Sequence, residues 1–155
     1  MFHFQFLIES LQTGRKKLQE SEKKYRGLLE TAPDGIAIVN SKGKIEIINL
    51  QLIAMTGYAQ EDLIGKPIEV LIPERFNNHK QQRDKYLANP HVRMMGTDLE
   101  LFVRRMDGSE FPAEISLSPF KTTDGLNVSA SIRDISKRKI SDEYLKKNEA
   151  LLAEA

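Results

Sequence analysis

The turn at Asp107–Gly108 and the alternating segment after it constrain the fold of this chain more than any other feature. Asp-Gly supplies the positive φ angle that a tight hairpin requires. Apolar Phe111, Ala113, Ile115 and Leu117 alternate with polar Glu110, Glu114, Ser116 and Ser118, and Pro112 is the one exception. This period of two is typical of a strand that buries one face, so we expect an antiparallel sheet around this hairpin.

Further strands and one long helix complete the predicted core. Turn residues at Ser41–Gly43 and Thr123–Gly125 predict two more hairpins. Pro73 suits the start of a helix and Asn89–Pro90 its end, so a helix is predicted over residues 74–88. Two strands, helices and then three strands indicate an α+β domain with helices on one face of an antiparallel sheet. The predicted strands cover residues 36–39, 45–49, 97–105, 110–119 and 126–134.

Amphipathic helices are predicted at both ends of the chain. Over residues 1–30, a seam with alternating spacings of four and three favours a coiled coil; a helix folded onto its own domain is the alternative. A second helix is predicted from residue 136, with Asp134 or Ser136 capping its first turn. We therefore divide the chain into residues 1–30, 31–135 and 136–155. The seam consists of Leu7, Leu11, Gly14, Leu18, Ser21, Tyr25 and Leu28.

Composition excludes several classes of function. The net charge of +1 argues against a nucleic-acid partner, which would require clustered basic residues. The absence of cysteine excludes disulfides, thiolate metal sites and cysteinyl-flavin photochemistry, and it agrees with a cytoplasmic location. The apolar opening at residues 2–8 is too short to span a bilayer, so we expect no direct membrane insertion.

The sequence carries no catalytic motif that we recognise. A phosphate-cradling glycine loop, an HExxH metal motif and a Ser/His/Asp set are all absent. His3, His79 and His91 are the only histidines, and none has a carboxylate at a spacing that suggests a dyad. We therefore expect that the chain is not an enzyme.

Several short motifs, taken in order, resemble those of one family. They are Glu22–Leu28, Ala32–Ile36, Asn49, Thr56–Tyr58, Asp62–Lys66, Arg104–Gly108, Phe111–Pro112 and Arg133–Ser136. Over about residues 22–138, the chain resembles the PAS sensor domains of bacterial and archaeal signalling proteins, such as sensor histidine kinases of two-component systems. The resemblance implies a five-stranded antiparallel sheet in the order 2-1-5-4-3. It also implies a sensory and dimerisation module that responds to a small ligand or to the state of a cofactor.

The apolar seam and the strand that passes directly into the C-terminal helix predict how this module is connected. A homodimer is expected through the N-terminal helix and the flank of the PAS domain. The signal is expected to leave through Asp134, Ile135 and Ser136 into the C-terminal helix, and from there to reach an effector such as a kinase. Asp134 is the expected hinge, because its carboxylate can cap the helix or pair with Arg104 or Arg133. A static cap is the alternative.

His79 raises the question of the ligand. The segment around it looks like that of haem-binding oxygen-sensor PAS domains, whose proximal iron ligand matches His79 and whose distal arginine falls at Leu99 here. Arg83, one helical turn after His79, departs from that pattern. Haem with His79 as the metal ligand, a flavin, a small metabolite and no ligand therefore stay open, and the last two fit the residues best. A ligand-free coiled-coil interaction module is a further alternative.

The expected pocket lies between the sheet and the main helix. Its predicted cofactor-binding residues are His79, Phe76, Tyr86, Met94, Met95, Leu99, Leu101, Ile115, Leu117 and Ile132, and further lining is expected from Ile38, Ile47, Leu63, Ile68, Leu71 and Ile72.

Overall fold

The computed structural model describes residues 2–76, 78–95 and 100–154 and divides the chain into two units, Met1–Ala32 and Pro33–Ala155. The first unit contains a single helix, α1 (Phe2–Thr31). Most of its apolar side chains are exposed, including Leu11 and Leu28. No helix within the described ranges has an apolar stretch long enough to cross a membrane.

The second unit is an α+β domain with a helix at its C-terminal end. Its helical elements are α2 (Leu50–Thr56), α3 (Gln60–Leu63), a 3₁₀ helix (Ile68–Leu71), α4 (His79–Ala88) and α5 (Ser136–Glu154). Its strands are β1 (Gly35–Asn40), β2 (Ile45–Ile48), β3 (Arg93–Met95), β4 (Phe102–Arg104), β5 (Glu110–Thr122) and β6 (Gly125–Asp134).

The sheet is antiparallel, and its order is β2-β1-β6-β5-β3, with β4 also paired to β5. Because β3 and β4 pair with successive parts of β5, together they occupy the position of the third strand. The predicted order 2-1-5-4-3 is therefore confirmed. The first and last strands are central neighbours, with Gly35 at the start of β1 opposite Ile132 near the end of β6.

The predicted range of the third strand, 97–105, is wrong at its start. Pairing with β5 begins at Arg93, which lies opposite Leu117, and it resumes at Phe102, opposite Pro112. Residues 96–99 lie outside the described part of the chain. The register along β5 sets these limits, and a local sequence pattern does not contain that register.

The main helix also begins later than predicted, at His79 instead of residue 74. Two successive turns precede it: the Phe76 N–H donates to the Pro73 carbonyl (3.0 Å), and the His79 N–H donates to the Phe76 carbonyl (3.2 Å). These bonds span three residues, whereas an α-helix requires bonds that span four. Arg75 extends from this segment to Glu110 at the start of β5, with a nitrogen–oxygen distance of 2.6 Å.

The hydrophobic core lies between the sheet and the short helices. Asn49, which is almost fully buried, joins the two layers. Its side-chain oxygen accepts hydrogen bonds from the N–H groups of Ile36 (2.9 Å) and Leu52 (3.1 Å), and so it caps α2. The core contains Ala37, Val39, Ile45, Ile48, Leu52, Leu63, Leu71, Val103, Phe111, Ala113 and Ile132.

Candidate functional site

A cavity of about 110 Å³ lies between the sheet and α4. Its walls are mostly aliphatic, because alternate residues of β5 and β6 turn their side chains towards the helices. Val128, Ala130 and Ile132 supply one wall from β6. The remaining apolar lining consists of Val39, Ile68, Leu71, Ile72, Leu87, Met95, Val103, Ile115 and Leu117.

One end of the cavity is polar. His79, Gln82, Arg83 and Tyr86 follow one another at helical spacings of three, one and three, which places them on one face of α4. Arg93 joins them from β3. The cavity is therefore amphipathic, with aliphatic walls on the sheet side and hydrogen-bonding groups on the α4 side.

Glu69 on the 3₁₀ helix bridges two of these groups. Its carboxylate lies 2.9 Å from Nδ1 of His79 and accepts a hydrogen bond from Nη1 of Arg83. Because a carboxylate accepts, Nδ1 of His79 carries the proton. The sequence showed no carboxylate at a spacing that suggests a dyad, and this contact is one that spacing alone does not reveal. Glu69 precedes His79 by ten residues, and only folding of the intervening turns brings them together.

Arg83 lies deeper than a surface arginine, with only 11% of its side chain exposed. Its guanidinium packs directly on Gly43 in the β1–β2 turn, where an added Cβ would collide with Cζ of Arg83. Gly43 also has a φ angle of +79°, which L side chains rarely adopt. Within the described ranges, Nε of Arg83 is buried and has no hydrogen-bond partner.

Tyr86 closes the other side of the polar end. Its hydroxyl donates a hydrogen bond to the carbonyl of His91, and its ring lies 5.4 Å from the His91 ring. Burial raises the pKa of the Tyr86 phenol, although the bond to His91 and the charge of Arg93 act in the opposite direction. Tyr86 therefore stays neutral at physiological pH and orients the loop after α4.

The structure brings together most of the predicted binding residues. His79, Tyr86, Met95, Ile115, Leu117 and Ile132 all line the cavity. Phe76 does not, because it lies on the turns before α4, with the guanidinium of Arg75 4.8 Å from the centre of its ring. Leu101 precedes β4 and also lies outside the lining. Leu99 and the side chain of Met94 lie outside the described part of the chain.

Of the further predicted lining, Ile68, Leu71 and Ile72 line the cavity. Ile38 and Ile47 do not. They pair with each other on the opposite face of the sheet from Ala37 and Val39. Leu63 packs in the core beside the cavity.

The sequence did not predict all the residues at the polar end of the cavity. Gln82 and Arg93 were not among the expected pocket residues, and Arg83 was noted only as a departure from the haem pattern. A signal for Arg83 was present, since it follows His79 by one helical turn and therefore shares its face. Arg93 had no such signal, because its place depends on the pairing of β3 with β5.

A haem does not fit the cavity in this conformation. The contact between Glu69 and Nδ1 of His79 would leave Nε2 for a metal, as in many histidine ligands. However, sites for drug-sized ligands have volumes of roughly 300–1,000 Å³. The cavity is much smaller, and the side chain of Arg83 occupies part of the space beside His79.

The residues predicted to relay a signal connect β6 to α5. The Asp134 carboxylate accepts hydrogen bonds from the backbone N–H (2.9 Å) and the hydroxyl of Ser136, which caps the first turn of α5. The Ile135 N–H donates to the Pro112 carbonyl on β5 (3.0 Å).

Of the two arrangements predicted for Asp134, the structure shows the helix cap, and Arg104 and Arg133 have other partners. Arg133 pairs instead with Asp34, with an Nε–Oδ1 distance of 3.1 Å. Arg104 donates to the Val70 carbonyl (3.2 Å). Both arginines therefore have other partners, because β6 and β4 direct them away from the start of α5.

Comparisons with known proteins agree with this architecture. The PAS domain of an HTR-like protein from Haloarcula marismortui has a TM-score of 0.67 and 24% identity, and the match covers 80% of this chain and 99% of that one. Sensor protein FixL of Bradyrhizobium diazoefficiens is 23% identical over 124 residues, covering 76% of this chain and 24% of FixL. The probable diguanylate cyclase DgcE of Escherichia coli is 30% identical over 140 residues, covering 88% of this chain and 12% of DgcE.

The chain thus spans less than a quarter of the length of these two curated relatives. A family profile described as a PAS domain matches residues 33–137, which is most of the chain and almost all of the sheet-and-helix domain. Together with the strand order and the cavity between sheet and helix, this match shows that the chain belongs to the PAS domain family.

Proposed function

We propose that this PAS domain is a sensory module that binds a small molecule in the cavity and transmits its presence through α5 to an effector. One observation carries the proposal. Strand β6 lines the cavity with Val128, Ala130 and Ile132. It ends at Asp134, and only Ile135 separates it from the start of α5 at Ser136. A molecule in the cavity therefore contacts the strand that leads directly into the C-terminal helix.

The contacts at the start of α5 support a mechanical connection. Ile135 bonds to Pro112 on β5, and Arg138 on the first turn of α5 pairs with Glu114 on the same strand. A shift of β5 relative to β6 would consequently change the orientation of α5. Such a shift requires only that the ligand binds one arrangement more tightly than the other.

The domain is proposed to act by binding, without catalysis. Its cavity is lined mainly by aliphatic groups, and both His79 and Tyr86 already have hydrogen-bond partners. The proposal of a homodimer has separate support in α1, where Leu7, Leu11 and Leu18 are exposed along the predicted seam. The cytoplasmic location stays a prediction.

A second candidate function is a ligand-free dimerisation module. It is favoured by the same exposed side chains on α1 and by those on α5, which include Ile140, Tyr144 and Leu151. In that case the cavity would be a packing void with no bound ligand, and the function would be dimerisation through α1 and α5.

Filling the cavity distinguishes the two candidates. Freshly purified protein is examined by absorption spectroscopy and native mass spectrometry, and a metabolite panel is screened by thermal unfolding. We expect a bound or stabilising molecule that the Ala130→Leu variant no longer takes, because the added carbons occupy the cavity. Ala54→Leu, an exposed position on α2, is the matched control.

Haem or flavin bands in the absorption spectrum would identify a chromophore directly. If no molecule copurifies and no metabolite distinguishes the wild-type protein from Ala130→Leu, ligand sensing is refuted and the dimerisation module is the better account.

A further inference from the structure

We propose that the cavity selects a small organic carboxylate, whose charged group is bound by Arg83 and Arg93 and whose carbon chain lies against the aliphatic walls. This inference rests on the proposed ligand-binding function and names the chemical class of the ligand.

The charges of the lining support an anion. Arg83 and Arg93 are the only formally charged side chains that line the cavity in the described part of the chain, and no aspartate or glutamate is among the lining residues. Arg83 has only 11% of its side chain exposed, so its charge is poorly solvated and an anionic partner beside it is favourable, whereas Arg93 is exposed and adds its charge at the edge of the cavity. Outside the lining, the carboxylate of Glu69 pairs with Arg83 and that of Asp84 lies 3.9 Å from its Nε, so Arg93 is the lining cation that has no ion pair with a described residue.

The guanidinium of Arg83 is held in a fixed position in which it can bind a carboxylate. Contact with Gly43 on one side and with Glu69 through Nη1 holds the guanidinium in place. Its Nε is buried and has no hydrogen-bond partner among the described residues, and a carboxylate oxygen, Oδ1 of Asp84, lies 3.9 Å away from it. A guanidinium presents several donors in one plane and matches the two oxygens of a carboxylate, and its fixed position reduces the entropy lost on binding.

Arg93 supplies the second cation from the opposite side. It lies on the edge strand β3, and the structure gives it no ion pair with a described residue. Its position brings its charge close enough to the hydroxyl of Tyr86 to influence it. A carboxylate at this end of the cavity would therefore contact groups from both α4 and β3.

The volume and walls restrict the rest of the ligand. The cavity volume of about 110 Å³ is well below the roughly 300–1,000 Å³ of sites for drug-sized ligands. That space suits a short carbon chain and excludes nucleotides. The aliphatic walls formed by Leu71, Ile115 and Ile132 favour an organic chain over a fully hydrated inorganic anion.

The test uses the full chain and three sets of probes. These are straight-chain carboxylates of two to six carbons, the matching primary amides, and inorganic phosphate. At least one carboxylate should raise the midpoint of thermal unfolding by about 5 to 10 °C at a hundredfold excess over its Kd. The matching amide and phosphate should have little effect, because the amide lacks the charge and phosphate lacks the apolar chain.

Variants then assign the charge to the two arginines. Arg83→Met and Arg93→Met should each weaken carboxylate affinity, measured calorimetrically, by about tenfold or more, and Arg83→Lys should weaken it less than Arg83→Met. Lys80→Met removes a positive charge from an exposed position on α4 and should leave the affinity unchanged. If Arg83→Met fails to fold, Arg93→Met decides the result.

Each contrary outcome has a definite meaning. If an amide binds as tightly as its carboxylate, or if phosphate binds as well, selection for an organic carboxylate is refuted while ligand binding stands. If no probe binds and no metabolite distinguishes Ala130→Leu from the wild-type protein, both this inference and the proposed sensory function are refuted.

Discussion

At the scale of single residues, Gly43 determines where Arg83 lies. The β1–β2 turn needs a residue with positive φ, and the guanidinium of Arg83 needs a residue without a side chain at the same place. Glycine satisfies both requirements. The polar end of the cavity therefore depends on a glycine forty residues away in sequence, in an element that contributes no polar group of its own to the lining.

We expect Gly43→Ala to destabilise the domain more than Gly57→Ala. Both positions have nearly the same φ, +79° and +77°, so each substitution should cost about 1–2 kcal/mol of unfolding free energy from backbone strain. Only at Gly43 would the new methyl group displace Arg83, since nothing lies within 4 Å of a Cβ at Gly57. Denaturant unfolding of both variants measures the difference, and equal losses would contradict the packing of Arg83 on this turn.

The turn between β4 and β5 contains a carboxylate, Asp107, whose pKa is lowered by hydrogen bonds. The hydroxyl of Ser109 donates to the Asp107 carboxylate at 2.6 Å and its N–H at 2.9 Å, and these bonds hold the pKa of Asp107 below its usual range. The stability that this carboxylate contributes is present above the ordinary aspartate pKa of about 4. It is lost as the pH falls through the lowered pKa of the folded state.

In Ser109→Ala, the pKa of Asp107 should rise towards its ordinary value. It should not rise completely, because the backbone N–H of residue 109 still donates. A carboxyl-carbon NMR titration measures the change. Ser118→Ala, an exposed serine further along β5, should leave the Asp107 titration unchanged, and an identical curve in both variants would show that the hydroxyl contributes nothing.

At the scale of elements, α5 depends on the contacts at its first turn. Most of its length is exposed, and an isolated helix of 19 residues is marginal in water. The Asp134 cap, the bond from Ile135 to Pro112 and the Arg138–Glu114 pair are all concentrated where the helix leaves the sheet. The stability of α5 should therefore be separable from that of the sheet.

Asp134→Ala should increase amide exchange in the first turns of α5 about fivefold, since a lost helix cap costs about 1 kcal/mol. Exchange in β1 and β6 should change little. The measurement is hydrogen exchange followed by mass spectrometry, with Asp142→Ala, an exposed position within α5, as the control. Unchanged exchange in α5 would mean that contacts other than the Asp134 cap hold the helix start.

Local patterns predicted most of the elements and only part of the site. Alternation and Asp-Gly turns have their causes within a few residues, so β5, β6 and the hairpins were predictable. The separation of β3 from β4 depends on pairing along β5, which is not local, and α4 starts late because turns with three-residue bonds replace its predicted first turn. Part of the apolar wall was predicted, including Ile115, Leu117 and Ile132, but Val128 and Ala130 were not. The contact of Glu69 with His79 could not be predicted locally, because it requires the 3₁₀ helix and α4 to meet.

At the scale of the whole molecule, we expect a dimer with twice the chain mass of 17.7 kDa at tens of micromolar. Removing the exposed seam with Leu11→Lys and Leu18→Lys together should give a monomer, because charged residues oppose helix pairing. Gln12→Lys with Gln19→Lys adds the same charge off the seam and should leave the dimer intact. Multi-angle light scattering measures the mass, and a monomeric wild-type chain would contradict the expectation.

The pairing of β1 with β6 also has a consequence for gene architecture. The backbone enters the sheet at Gly35 and leaves it after Asp134, and these points lie on adjacent strands, with Gly35 opposite Ile132. A domain whose entry and exit lie side by side can be inserted into a longer polypeptide while keeping the flanking segments close together. Duplication, loss or exchange of such a unit would leave its neighbours within reach of each other, which suits proteins assembled from interchangeable input and output parts.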